Sequence, residues 1–307
     1  MSNNIVSPLT GSKNIVAISS ISVSDIIRKW KEQLEIDISS EFEGTGISKF
    51  DLYRCNDTGL RFFNPQFEGS SFIYQGLQDK FAWYYVEDKW EYDIALNDIK
   101  NAKNCLEIGS GSGAFIKKAI SRGINIVGIE TSVDAVEKAH KANLPVYLTS
   151  ADEAINKLGS RPDVVLAFQV LEHIANPLPF IRMMVEALEI GGKLIICVPN
   201  ANSFYKYNDN ILDVPPHHQT RWTLSVFKSF EKIFPLKLTN AAYEPLSHWH
   251  TESWLNSNRN YFRDNKWYGR LLFNRYSTPL LIKFLESDMR TIIKGHTIYV
   301  SFEKLSD

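Results

Sequence analysis

The chain is 307 residues long, 44% hydrophobic and 22% charged, an ordinary globular composition with enough apolar mass for one large domain and additions. Its formal charge of -1 gives no global electrostatic ground for binding nucleic acid or an acidic surface. No run approaches the roughly 18 to 20 apolar residues of a membrane span, the N-terminus lacks a secretory pattern, and Cys55, Cys105 and Cys197 make no disulfide framework, so the expected setting is the cytoplasm.

Residues 1–24, rich in Ser, Asn and Ile without a period, are expected to form a flexible leader. An N-terminal extension follows over 25–100. Ser24 or Asp25 can cap a helix in which Ile26, Ile27, Trp30 and Leu34 fall at helical spacing. Alternation on both sides of an Asn-Asp-Thr-Gly cluster predicts a β-hairpin from Phe50 to Pro65, and an aromatic helix around Trp83 to Tyr92 closes the extension.

Strands and helices then alternate: "NCLEIG", "NIVGIE", "PVYLTS", "PDVVLAFQVL" and "KLIICVPN" read as strands with helical segments between them. That spacing means βαβ units and a doubly wound α/β fold. Past Asn200 a polar, aromatic stretch interrupts the pattern, which resumes with a helix at "TLSVFKSFEKIF", a strand near "LKLTNAAYEPL", a basic and aromatic segment and a last strand "HTIYVSFEK".

In a doubly wound sheet the first strand-to-helix turn carries the glycine loop and faces the ligand crevice. Gly109, Gly111 and Gly113 occupy that turn, and Glu130, twenty-one residues after Gly109, ends the second strand where an acid can accept both hydroxyls of a ribose. The ligand is therefore expected to contain a nucleoside. "GSGSGA" also satisfies the dinucleotide pattern, which keeps a dehydrogenase as a rival. Glu107 weighs against it, because a carboxylate there repels a pyrophosphate and suits an ammonium.

"LEIGSGSGAF" resembles the first motif of class I S-adenosylmethionine-dependent methyltransferases, and the ordered motifs through "GGKLIICVPN" continue the likeness. The resemblance implies a Rossmann-like, seven-stranded sheet with helices on both faces over 101–307. It implies S-adenosylmethionine as cofactor, S-adenosylhomocysteine as product, and binding by Glu107, Gly109, Ser110, Gly111, Gly113, Glu130, Asp152 and Gln169, with Asp152 near the adenine. Tyr84 and Tyr85 suit the sulfonium or adenine through their ring faces. The flanks, with "LYRC", "TGLRFFNP" and "PPHH…RWT", resemble methyltransferases of bacterial glycan and sugar pathways. Relatives often carry a Cys-x-x-Cys zinc ribbon near Cys55, but Thr58 stands at the second cysteine position here, and one ligand cannot hold tetrahedral zinc.

Methyl transfer needs an aligned acceptor and a group to take its proton. His173 after the fourth strand and His217 and His218 in the acceptor loop 201–222 are the candidate bases. Arg221, Trp222, His248 and His250 are candidate acceptor contacts, and no metal is expected from His217, His218, His248, His250, Glu244 and Glu252, whose spacing matches no zinc pattern. The helical cap, 250–294, holds eight basic against four acidic residues. It reads as an acceptor platform, a homodimer surface, a peripheral membrane contact or a cap packed on the core. The expected reaction is O-methylation of a sugar or glycan, nucleotide- or lipid-linked. A small aromatic, quinone precursor or amine acceptor is the alternative, and a non-catalytic scaffold is a remote one.

Overall fold

The computed structural model describes residues 5–81, 87–208 and 210–307. The N-terminal part contains β1 (Ile15–Ser22), α1 (Val23–Gln33), β2 (Lys49–Cys55), β3 (Arg61–Asn64), α2 (Ser71–Lys80) and α3 (Trp90–Asp98). β2 and β3 form the expected hairpin. Two expectations change. Residues 15–22 of the supposed leader form a strand antiparallel to β2, and Ser7 and Leu9 are buried. Most β1 side chains face solvent, so an edge strand of Ser and Ile carried no apolar period to read. The cap of α1 is Ser22, whose side chain accepts from Asp25 N–H, rather than Ser24 or Asp25.

The core domain runs β4 (Cys105–Ile108), α4 (Ala114–Ser121), β5 (Ile126–Ile129), α5 (Val133–Lys141), β6 (Val146–Tyr147), α6 (Ala151–Leu158), β7 (Val164–Phe168), α7 (Pro177–Ala187) and β8 (Lys193–Pro199). After it come β9 (Thr220–Arg221), α8 (Leu224–Lys228), α9 (Phe230–Ile233), β10 (Leu236–Pro245), α10 (Thr251–Asn265), α11 (Gly269–Leu272), α12 (Ser277–Glu286) and β11 (Lys294–Lys304). The seven-stranded sheet has the order β10-β11-β8-β7-β4-β5-β6. It is parallel from β8 to β6 and antiparallel where β11 enters between β8 and β10.

Period-2 alternation gives the sheet two apolar faces. Leu106, Val127, Val165 and Ile196 pack with α6, α7, α8 and α9 on one face. Cys105, Ile126, Val164 and Leu166 pack with α3, α4 and α5 on the other. All three cysteines are buried thiols. A separate core around Trp30, Phe50 and Phe63 serves the N-terminal extension, and Ile211 and Val214 from the loop after β8 belong to it. β9 pairs with β3, completing a second sheet in the order β1-β2-β3-β9. The N-terminal extension therefore grips the acceptor loop along its length.

Candidate active site

Because β4 and β7 are neighbours whose helices leave to opposite faces, their carboxyl ends open into a crevice. Gly109, Gly111 and Gly113 line it with φ of +71°, +54° and +84°, the left-handed region that side chains avoid. A Cβ on Gly109 would also stand 2.5 Å from Val170 Cγ2, so loop and β7 end approach as closely as backbone allows. Glu130 fastens the loop to β5: its Oε2 accepts from Gly111 N–H at 2.8 Å, and its Oε1 accepts from Thr131 and Ser132 N–H at 2.7 and 2.9 Å. Ser110 is buried between them, its hydroxyl 3.5 Å from the Ile129 carbonyl.

Glu107 lies on the α4 face of β4, 2% exposed, and among the described residues its Oε2 has no hydrogen-bond partner. Burial pushes its carboxyl well above the usual range; Lys89 offsets part of that and Glu130 adds to it. A buried carboxylate oxygen without a donor fits a cationic or N–H-bearing group of a ligand. Gln169, at the end of β7, holds a left-handed φ of +56°; its N–H donates to the Cys197 carbonyl at 2.8 Å and its Nε2 to Glu91 Oε1 at 3.1 Å. Such a conformation in a non-glycine residue persists only where the surroundings enforce it, here through these two bonds. Asp152 is exposed on the first turn of α6. Tyr84 and Tyr85 lie outside the described residues.

The three candidate bases come together although 44 residues separate His173 from His217. Ring centroids are 4.7 Å apart for His173 and His217, 4.9 Å for His173 and His218, and 4.4 Å for the stacked His217 and His218. Each Nδ1 is engaged: His173 donates to the His217 carbonyl at 2.7 Å, His217 to the Leu212 carbonyl at 2.8 Å, and His218 to Asp213 Oδ1 at 3.2 Å. Carbonyls and carboxylates only accept, so the proton sits on Nδ1 and each Nε2 is the lone-pair nitrogen. Burial pushes His173 down to about 4, and burial with mutual repulsion holds His217 and His218 well below the ordinary histidine range. All three rings are therefore neutral acceptors at neutral pH.

Glu172, which the sequence reading passed over, lies under this group. It is 2% exposed, its Oε1 is 3.9 Å from His173 Nε2, and burial raises its carboxyl to about 8. Its backbone carbonyl accepts from Gln219 N–H at 2.8 Å, which ties the β7 end to the acceptor loop. The only sequence signal was an acid beside a histidine at the end of an apolar run.

Asp213 extends the group outward. While Oδ1 holds His218, Oδ2 pairs with Arg221 at 3.1 Å. Both residues line a small polar cavity of about 50 Å³ with Arg61, Asn200, Tyr205 and His296. Arg221 thus faces this cavity. Trp222 does not: it is fully buried, stacks on Phe227 and donates from Nε1 to Thr220 Oγ1 at 2.9 Å. Neighbours in an extended segment point to opposite sides, so Arg221 facing the cavity sends Trp222 into the core. His250 backs the cavity, 5.8 Å from Tyr205 and 6.0 Å from His296 between ring centroids. His248 is exposed, its carbonyl accepting from the Thr251 hydroxyl at the start of α10. Among the described residues, the grouping with metal-ligand spacing is His173, His217 and His218, whose ligand atoms lie within 4.8 Å of one another, rather than the set with His248 and His250.

A family model described as a methyltransferase domain matches residues 82–264. The ubiquinone biosynthesis O-methyltransferases of Cereibacter sphaeroides and Ruegeria pomeroyi are 32% identical over 102 residues and 33% over 110, each match covering 32% of this chain. The chain spans 41% of the length of those curated relatives. Among solved structures, a SAM dependent methyltransferase from Archaeoglobus fulgidus aligns at 14% identity over 76% of this chain and 100% of its own, with a TM-score of 0.48. Coclaurine N-methyltransferase aligns at 16% over 70% and 72%, with a TM-score of 0.43. With more than half of its residues matched by the family model, the chain belongs to the methyltransferase domain family.

Proposed function

We propose that the protein is an S-adenosylmethionine-dependent O-methyltransferase acting on a hydroxyl of a sugar or glycan, nucleotide- or lipid-linked. The observation that carries this reading is the convergence of three neutral imidazoles beside a cavity lined by Arg61, Asn200, Asp213 and Arg221. When bound, the cofactor supplies an electrophilic methyl group on a sulfonium. Glu107, with its unpartnered carboxylate oxygen, would receive the ammonium, the glycine loop the nucleoside, and Glu130 the ribose hydroxyls. The Nε2 of His173 or of His218 can accept the proton of an acceptor hydroxyl, which acidifies only as the new bond forms. Asp213 fixes the ring of His218 and carries Arg221, which can donate to neighbouring sugar oxygens.

A second reading, a phenolic or quinone-precursor acceptor, is favoured by the similarity to ubiquinone biosynthesis O-methyltransferases. The donors and acceptors of Arg61, Asn200, Asp213 and Arg221 suit a polyol instead. Mass spectrometry of products from parallel panels of nucleotide sugars, glycan fragments and dihydroxyphenols separates the two. Methylation confined to the phenols would refute the sugar reading, and failure to bind S-adenosylhomocysteine would refute both.

A further inference from the structure

The helical cap carries a feature with no part in the methyl-transfer site. Arg259 and Arg263 on α10, Arg270 on α11 and Arg275 before α12 line a single open cleft of about 600 Å³, floored by Phe273 and Thr278. Gly269 makes this arrangement feasible. A Cβ there would collide with the Phe262 carbonyl, so its absence lets α11 lie directly on the last turn of α10 and bring Arg270 beside Arg263. Among the described residues no carboxylate lies within ion-pair distance of any of the four, whereas Arg290 of the same cap does pair with Asp288. The nearest polar partners are Asn256 for Arg259, at 3.0 Å, and the Tyr276 hydroxyl for Arg275. Four guanidinium groups converging without counter-charge repel one another and focus a positive potential. Their planar forks match phosphate oxygens.

A second feature of the same stretch decides what carries the phosphate. Trp267, Leu271, Tyr276 and Leu280 stand 85%, 66%, 69% and 68% exposed, alternating in sequence with cleft-lining Arg270, Arg275 and Pro279. A soluble phosphate needs the arginines alone. Exposed Trp and Leu interleaved with arginines form an interfacial pattern, in which the side chains enter the headgroup region while the cations hold lipid phosphates. By contrast, Tyr261 stacks on Tyr207 of the acceptor loop at 4.0 Å and Phe262 faces Phe273 within the cap, so these two rings are taken up by packing inside the protein.

We propose that the cleft of Arg259, Arg263, Arg270 and Arg275, with Trp267, Leu271 and Leu280, docks the protein on an anionic phospholipid bilayer. The proposal stands independently of the acceptor reading. The test is co-sedimentation of the full chain with phosphatidylcholine vesicles, alone or containing about 30% phosphatidylglycerol, at low and high salt. The expected result is binding to the anionic vesicles only, weakened by salt. A surface arginine contributes about fivefold in partition, so R263E/R270E should weaken binding at least about 25-fold, and L271S/L280S should weaken it as well. S-adenosylhomocysteine affinity serves as the fold control; if the charge reversal misfolds, R263Q/R270Q is scored instead with the same direction expected. Three results overturn the proposal: equal binding to neutral vesicles, inorganic pyrophosphate bound in calorimetry without vesicle binding, or L271S/L280S abolishing a dimer while vesicle binding stays absent.

Discussion

His173 donates from Nδ1 to the backbone carbonyl of His217 across 2.7 Å, and together with the Gln219 N–H bond to the Glu172 carbonyl this bond fixes the loop after β7 against the loop after β8. It sets the tautomer of His173, so its Nε2 accepts. His173→Ala should lower turnover about 10²-fold or more, while His173→Asn, which can still donate to the carbonyl, should restore loop order without restoring the rate. Steady-state kinetics of both variants, with S-adenosylhomocysteine affinity measured alongside, check this. Recovery of the wild-type rate in His173→Asn would reduce His173 to a positioning residue.

Glu107→Gln should weaken S-adenosylmethionine at least about tenfold, since a charge-assisted bond to an ammonium is worth roughly 1.5 to 3 kcal/mol. Calorimetry with the cofactor and with an analogue lacking the amino group is the check. The variant should lose its preference for the amino-bearing ligand, and an unchanged preference would remove Glu107 from the ammonium site.

Gly109→Ala combines a left-handed φ of +71° with a Cβ 2.5 Å from Val170 Cγ2. The backbone strain alone costs on the order of 1 to 3 kcal/mol. Thermal denaturation should show that loss together with weakened cofactor binding. Gly123→Ala, where φ is +77° and nothing stands within 4 Å of the added Cβ, should show strain without the binding loss.

Glu172 gives stability a signed pH dependence. Its carboxyl is raised by burial to about 8 in the native state, against an ordinary value near 4.3. Between those values the native state holds a proton that the unfolded state has lost, so this contribution is full below the lower value and disappears as pH climbs to about 8. The slope is about -1.4 kcal/mol per pH unit in that window. Denaturant titrations from pH 5 to 8 should show Glu172→Gln gaining on the wild type as pH rises. Parallel curves would mean that Glu172 is ionised in the folded protein.

The three histidines have metal-ligand spacing, yet the hydroxyl-accepting reading needs a lone pair that no ion holds. Protein purified without chelator should hold no stoichiometric zinc, and EDTA should leave turnover unchanged. A metal-dependent rate would assign the lone pairs to an ion instead.

What could be read from the sequence was local. Apolar runs and glycines revealed β4 to β8 and the loop at Gly109, because burial on both faces and left-handed φ leave direct marks on residue type. Long-range features left weaker marks. Nothing near His217 indicates that β9 joins β3 and carries the loop into the N-terminal core, so the meeting with His173 was visible only as the same residue type in two loops. Trp222 was misplaced because a two-residue strand is too short for its period to assign a face. Asp213 and Glu172 were passed over because an isolated acid reads as solvated until its burial is known.

The most direct measurement is the rate of labelled methyl transfer from S-adenosylmethionine to a sugar acceptor by wild type and His218→Ala, with S-adenosylhomocysteine affinity determined for both. Wild-type transfer is expected, with a variant slowed about 10²-fold or more at unchanged affinity. A variant that keeps the full rate would contradict the placement of the acceptor beside the Asp213-held ring of His218.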